Sequence, residues 1–142
     1  MGMIGSLMVK KVCRSGFAAL NEGDLASFLG KWSEDSVFIY PPVISVGGKI
    51  EGKKAIEEWF QRWMKQFPKR NFVLKNVCVE RICSFGATNV VTAEWDVTVT
   101  NKEGEELTLG GVTVIDIKKG KAIRVIDYLL DTELLQKAWG EK

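Results

Sequence analysis

Phe17-Ala18-Ala19-Leu20-Asn21-Glu22-Gly23-Asp24-Leu25 closes an apolar-faced helix in a polar turn. Gly47-Gly48-Lys49-Ile50-Glu51-Gly52 is a glycine-rich crossover into an aromatic helix, and Ile123 to Asp131 ends a run of long strands. Upstream of the first stretch, Ile4, Met8, Val12, Gly16 and Ala19 recur at three- and four-residue steps, with Leu7 and Leu20 flanking. That spacing predicts an amphipathic helix over residues 4–20. Asp24 is placed to cap a second, short helix whose face is Leu25, Phe28, Leu29 and Trp32. Ser36 to Tyr40 predicts a strand that Pro41-Pro42 ends, since proline has no N–H for the ladder.

After the crossover, Ile56, Trp59, Phe60, Trp63 and Phe67 fall on one stripe of a helix from about Lys54 to Gln66, stopped by Pro68. Four strands are expected at 71–84, 88–101, 105–118 and 121–130. Gly86, Lys102-Glu103-Gly104 and Lys118-Lys119-Gly120 are the turns between them. Asp131 caps a last helix, Thr132 to Trp139, which Gly140 ends. Helices leading into an antiparallel meander, with no linker or repeat, give one α+β domain over residues 1–142.

Hydrophobic residues at 46% and charged residues at 27% support a packed core and exclude a disordered chain. The net charge of +2 is spread among interspersed acids and bases, so no basic stripe marks a nucleic-acid partner. No apolar run approaches the ~20 residues of a membrane span. Lys10 and Lys11 follow the first apolar residues rather than precede them, unlike a signal peptide, so a cytoplasmic location is expected. The chain has no His, and Cys13, Cys78 and Cys83 are scattered. No His-dependent triad or common zinc set can form, and neither a metal nor a cofactor is expected. The five Trp suit a bulky core, an aromatic-lined cavity or an interface.

Two strands carry the candidate chemistry. Between Val91 and Thr100, Thr92, Glu94, Asp96 and Thr98 share one side, and Val91, Ala93, Trp95, Val97 and Val99 the other. Read from the residues alone, the apolar side is core and the acids are wet, as in half-solvated antiparallel sheets. In the last strand Ile123, Val125, Asp127 and Leu129 share a face on which Asp127 is the only charge. Burying a carboxylate unpaired costs several kcal/mol, so Asp127 is either functional or satisfied by backbone N–H groups or Arg124. Two such carboxylates could share a proton, one acting as acid and the other as base. Tyr40, Trp59, Trp63, Phe67 and Tyr128 complete the aromatic set, as core or as contacts for a ligand.

Over roughly residues 7–139 the order of elements resembles the NTF2-like superfamily, in its SnoaL-like, ketosteroid-isomerase and limonene-epoxide-hydrolase branch. The resemblance implies a cone in which N-terminal helices pack on a strongly bent, mostly antiparallel sheet around a pocket. Val90 to Val97 resembles the epoxide-hydrolase strand in which an Arg and an Asp two residues apart face that pocket. Asp96 matches the Asp, whereas Glu94 stands in place of the Arg, which argues against epoxide hydrolysis. Gly120 to Tyr128 resembles the family's last strand, and Asp127 matches the acid–base Asp of SnoaL-type cyclases. The isomerase positions read Tyr40 for the base, Gly16 for the oxyanion Tyr and Thr113 for the protonated Asp, so none is kept.

The resemblance thus implies a cofactor-independent isomerase, cyclase or hydrolase for a small apolar or carbonyl-bearing molecule. Asp127 and Asp96 would be catalytic, and Tyr40, Trp59, Trp63, Glu94 and Tyr128 would contact the ligand. Trp95 would pack across the sheet face of a homodimer. The alternative is a non-catalytic module of the same fold that binds a ligand or a protein.

Overall fold

A computed structural model describes residues 2–80 and 88–141. Helices α1 (Gly2–Glu22) and α2 (Leu25–Leu29) come first, then strands β1 (Trp32–Tyr40) and β2 (Gly48–Glu51) and helix α3 (Lys53–Gln66). The long strands β3 (Lys69–Val79), β4 (Asn89–Thr100), β5 (Glu106–Lys118) and β6 (Lys121–Leu129) follow, and helix α4 (Thr132–Ala138) closes the chain. The caps are those the sequence announces. The Asp24 carboxylate accepts the Ser27 N–H at 3.1 Å, and that of Asp131 accepts the Leu134 N–H at 2.9 Å.

Apart from β3, expected over 71–84 and described from Lys69 to Val79, two elements differ from expectation. The crossover is more than a break: Gly48 to Glu51 return along β1, pairing Tyr40 with Gly48 and Val37 with Glu51. Trp32 opens β1 instead of finishing the face of α2, because Gly30 ends that helix after five residues. The expected turn at Gly86 and Cys83 lie outside the described residues.

All six strands form one sheet in the order β2-β1-β6-β5-β4-β3, antiparallel throughout except for the parallel pairing of β1 with β6. Register shifts at Trp32/Val37, Leu74/Asn76 and Asp116/Ile117 mark the irregularities that let a long sheet bend. Its concave side takes the apolar faces of α1 and α3 and their aromatic side chains.

Polar groups fasten this wrap. The Asn21 amide donates to the Phe72 carbonyl at 3.1 Å and accepts the Phe72 N–H at 2.7 Å. It thereby imitates a neighbouring strand along the open edge of β3. Arg70 donates to the carbonyls of Leu20 at 2.8 Å and Phe67 at 3.1 Å, tying the ends of α1 and α3 together. Next to Phe67, the Gln66 amide donates to the Ala138 carbonyl at 2.9 Å, and the Glu141 carboxylate accepts the Ser45 N–H at 2.9 Å. These bonds seat α4 so that Trp139 packs on Tyr40, Trp59 and Phe67. Among the described residues no helix is long and apolar enough to cross a membrane.

Candidate functional site

Between the concave sheet and the helices lies a cavity of about 330 Å³. Side chains alternate along a strand, so β4 presents Trp95, Val97 and Val99 to it, and β6 presents Val125, Asp127 and Leu129. Trp59 and Phe60, with Trp63 one helical turn further along α3, form the opposite wall, and Tyr40 from β1 joins them. The exposed members of the lining gather on one side, at Lys11, Val12 and Ser15 of α1, at Ser27 and Lys31, and at Gly120 in the β5–β6 turn. That side is the mouth. Tyr40, Trp59 and Phe67, with Trp139 behind them, close the inner end.

Among the described residues Asp127 is the one carboxylate in the lining, and what accessibility it retains is toward the cavity. Burial pushes its pKa from the ordinary carboxylate value up to about 7, against the opposing effect of a hydrogen bond from Thr113. The Thr113 hydroxyl donates to Asp127 Oδ1 at 2.6 Å, and the Trp95 indole N–H donates to Thr113 Oγ1 at 2.8 Å. An indole N–H can only donate, so Thr113 must accept from Trp95 and direct its own proton to Asp127. The chain Trp95–Thr113–Asp127 therefore has a fixed direction. It holds Oδ1 and leaves Oδ2 as the oxygen for a ligand.

Gly111 makes this chain possible. It is paired with Trp95 across β4 and β5, and a Cβ there would sit 2.7 Å from the indole ring and 2.6 Å from the Tyr128 carbonyl oxygen. Only glycine lets the ring lie across β5 to reach Thr113. A glycine inside a strand commonly marks such a close approach, and the pair Gly110-Gly111 is the feature of the sequence that could have signalled it.

Tyr40 is buried, and burial drives its phenol pKa upward, the Asp127 charge adding to the rise while a hydrogen bond from Trp139 opposes it. The Trp139 indole donates to Tyr40 Oη at 3.5 Å, a long bond that leaves the phenolic proton free to be given elsewhere. Trp59 is anchored by its indole N–H on the Val46 carbonyl at 2.8 Å, which fixes that wall. Cys13 also faces the cavity from α1, its thiol pushed up to about 11 by burial.

Of the residues the sequence singled out, Asp127, Tyr40, Trp59 and Trp63 meet at this cavity, and three do not. Glu94 and Asp96 point away from it, to the outer face of β4. There the Asn76 amide donates to Glu94 at 2.7 Å, and Lys75 lies 3.5 Å from Asp96. Tyr128 is 56% exposed on the outer face of β6. The acid pair Asp96–Asp127 is thus split across the two sides of one sheet.

The expected twofold contact through Trp95 is corrected as well, since Trp95 is 3% exposed inside the monomer. The reason is energetic. Burying Trp95, Val97 and Val99 stabilises by about 1.5–3 kcal/mol each, whereas turning two carboxylates into an apolar cone with no cation costs several kcal/mol apiece.

Residues 14–125 match the family model of the SnoaL-like domain, and the chain belongs to that family. Solved structures agree on the fold. An NTF2-like protein of unknown function from Burkholderia pseudomallei superimposes with a TM-score of 0.77 at 19% identity, over 91% of this chain and 95% of its own. TerC, crystallised with polyporic acid, gives 0.73 at 20% identity, over 92% and 96%. A Bacillus subtilis protein whose assignment as an isomerase is itself a proposal gives 0.74 at 25% identity, over 93% and 92%. No curated protein matches the sequence. The α+β cone of the NTF2-like superfamily is therefore the fold.

Proposed function

We propose that this protein acts on a small, mostly apolar, carbonyl-bearing molecule as a cofactor-independent acid–base catalyst of isomerase type, with Asp127 as the proton-transferring group. One observation carries the reading: a single carboxylate, oriented through one oxygen and titrating about 7, in a cavity otherwise walled by apolar and aromatic side chains. A general base is most effective when its pKa lies near the working pH.

A lone base suits a proton shift better than it suits hydrolysis. Asp127 Oδ2 takes a proton from the carbon beside the carbonyl, and the electron pair moves onto the carbonyl oxygen as an enolate. Tyr40 donates its phenolic proton in a hydrogen bond to that oxygen. The proton on Asp127 then returns to another carbon of the conjugated system, so acid and base are one group. Trp59 and Trp63 hold the apolar body against α3. Epoxide hydrolysis needs one group to activate water and a second to protonate the epoxide oxygen. Asp96, on the outer face, cannot be the second.

The rival is a binding module of the same fold, favoured by Asp127 being, among the described residues, the one acid in the lining. Proton exchange separates the two. Incubating the protein in D2O with aromatic ketones bearing α-hydrogens should wash deuterium into the α-position, and Asp127→Asn should abolish it. Saturable binding of the same ketones with no exchange would leave the binding module standing. The expected homodimer is retained on different ground: Val73, Tyr128 and Leu130 are exposed on the outer face of the sheet and would lie against a second copy. Light scattering at several concentrations tests it, and a monomer throughout refutes it.

A further inference from the structure

The cavity has one inner acid, and its mouth is basic. Lys11 of α1 and Lys31 at the start of β1 both line the opening, and both are exposed. The third side of the opening is the β5–β6 hairpin, Lys118-Lys119-Gly120-Lys121, whose Gly120 lies in the lining. Two bonds hold this hairpin against Lys31: the Ala122 N–H donates to the Lys31 carbonyl at 2.8 Å, and Lys121 Nζ donates to the Gly30 carbonyl at 2.9 Å. Among the described residues, none of the acids flanking these stretches in sequence is itself in the cavity lining. Asp24 caps α2 through Ser27, Asp35 accepts from Ser33, and Glu34 faces Lys53 at 3.9 Å. Among the described residues neither Lys11 nor Lys31 is in an ion pair.

Charge therefore runs in one direction along the cavity, from lysines at the rim to Asp127 within. An anionic group would be repelled by Asp127 at the inner end and attracted at the mouth. Between the two ends the walls are apolar and aromatic. A dry cavity of about 150 Å³ holds one benzene ring, so about 330 Å³ suits a body of roughly two rings.

We infer that the cavity selects an amphipathic anion: a flat apolar body of about two rings inserted toward Asp127, its carboxylate or other anionic group left at the mouth between Lys11 and Lys31. This rests on the ligand-pocket reading above and adds the polarity of insertion. A rim of exposed lysines also steers anions toward the opening, an effect that salt weakens.

The test compares 2-naphthoate with its neutral methyl ester by titration calorimetry on the intact protein at low salt. The wild type should bind naphthoate more tightly than the ester. Lys11→Gln/Lys31→Gln should weaken naphthoate about five- to tenfold and leave the ester within a factor of about two. Lys11→Arg/Lys31→Arg should restore naphthoate binding, and 0.5 M salt should reduce the wild-type preference.

Equal affinities for acid and ester, unchanged in the Gln variant, would overturn the inference while leaving the pocket reading intact. Equal losses for both probes in the Gln variant would also overturn it, since the lysines would then be shaping the mouth rather than reading charge. Binding of neither probe would overturn both readings. Melting curves of the variants, expected to match the wild type for exposed positions, guard against misfolding as the cause.

Discussion

Asp127 and Asp96 stand two strands apart on one sheet, on β6 and β4, and meet opposite surroundings. Asp127 projects from the concave face into an apolar cavity, with Thr113 on one oxygen and its pKa raised to about 7. Asp96 projects from the convex face, its side chain 46% exposed, with Lys75 at 3.5 Å. Both are carboxylates flanked by apolar neighbours in sequence. The pleat makes them different: one residue of register decides whether a side chain sees the cavity or water.

The largest test of this contrast is Asp127→Asn. The folded protein holds the Asp127 proton more tightly than the unfolded chain does, so its burial costs nothing near pH 4. The cost grows as pH rises from about 4 to about 7, and it is complete above that. Asn keeps the acceptor for Thr113 and removes the charge. The variant should thus be more stable than wild type at pH 8, by up to roughly 4 kcal/mol, with the gain gone at pH 4. Proton exchange should be lost at every pH. Thermal melts across pH, beside carboxyl NMR of the wild type, measure this. A loss of about 1–3 kcal/mol on the same change, with a wild-type titration near 4, would make Asp127 a structural carboxylate.

Gly111→Val tests the geometry that sets the contrast. Its side chain must displace the Trp95 ring or the β6 backbone, so a loss of roughly 1–3 kcal/mol is expected. The Trp95–Thr113 bond should break, and with it the orientation of Thr113 toward Asp127. The variant's Asp127 should titrate higher than in wild type, because the hydrogen bond that opposes burial is loosened. A stable Gly111→Val protein with an unchanged Asp127 midpoint would remove Trp95 and Thr113 from the site.

Asp96→Asn is the smallest. A half-exposed pair with Lys75 contributes about 0–1 kcal/mol at most, so stability should move little and proton exchange not at all. Exchange that falls with Asp96→Asn as far as with Asp127→Asn would erase the distinction between the two faces.

Most of the fold could be read from the chain because its signals are local. Asp24 and Asp131 each cap the helix they precede, Pro68 follows the end of α3, and the stripe Ile56, Trp59, Phe60 and Trp63 is the buried face of that helix. The short β2 could not be read. Gly48 to Glu51 have no strand pattern of their own and become a strand only by pairing with β1.

The site divides the same way. Asp127 stood out as the single charge on an apolar strand face, which is a property of sequence. The bond between Trp95 and Thr113 did not, since it joins β4 to β5 across Gly111 and depends on the register between strands.

The sequence by itself determined which residues alternate together on each strand, where the helices start and stop, and that one carboxylate had to be buried or paired. Periodicity and capping act over a few residues, so a linear chain records them. Only the tertiary structure decided which side of β4 faces inward, which acid is buried in the cavity, and that Lys11, Lys31 and the β5–β6 hairpin meet at one opening. Those outcomes depend on how the bent sheet closes over the helices. The winning arrangement is the one that buries the most apolar surface while leaving the fewest charges away from water.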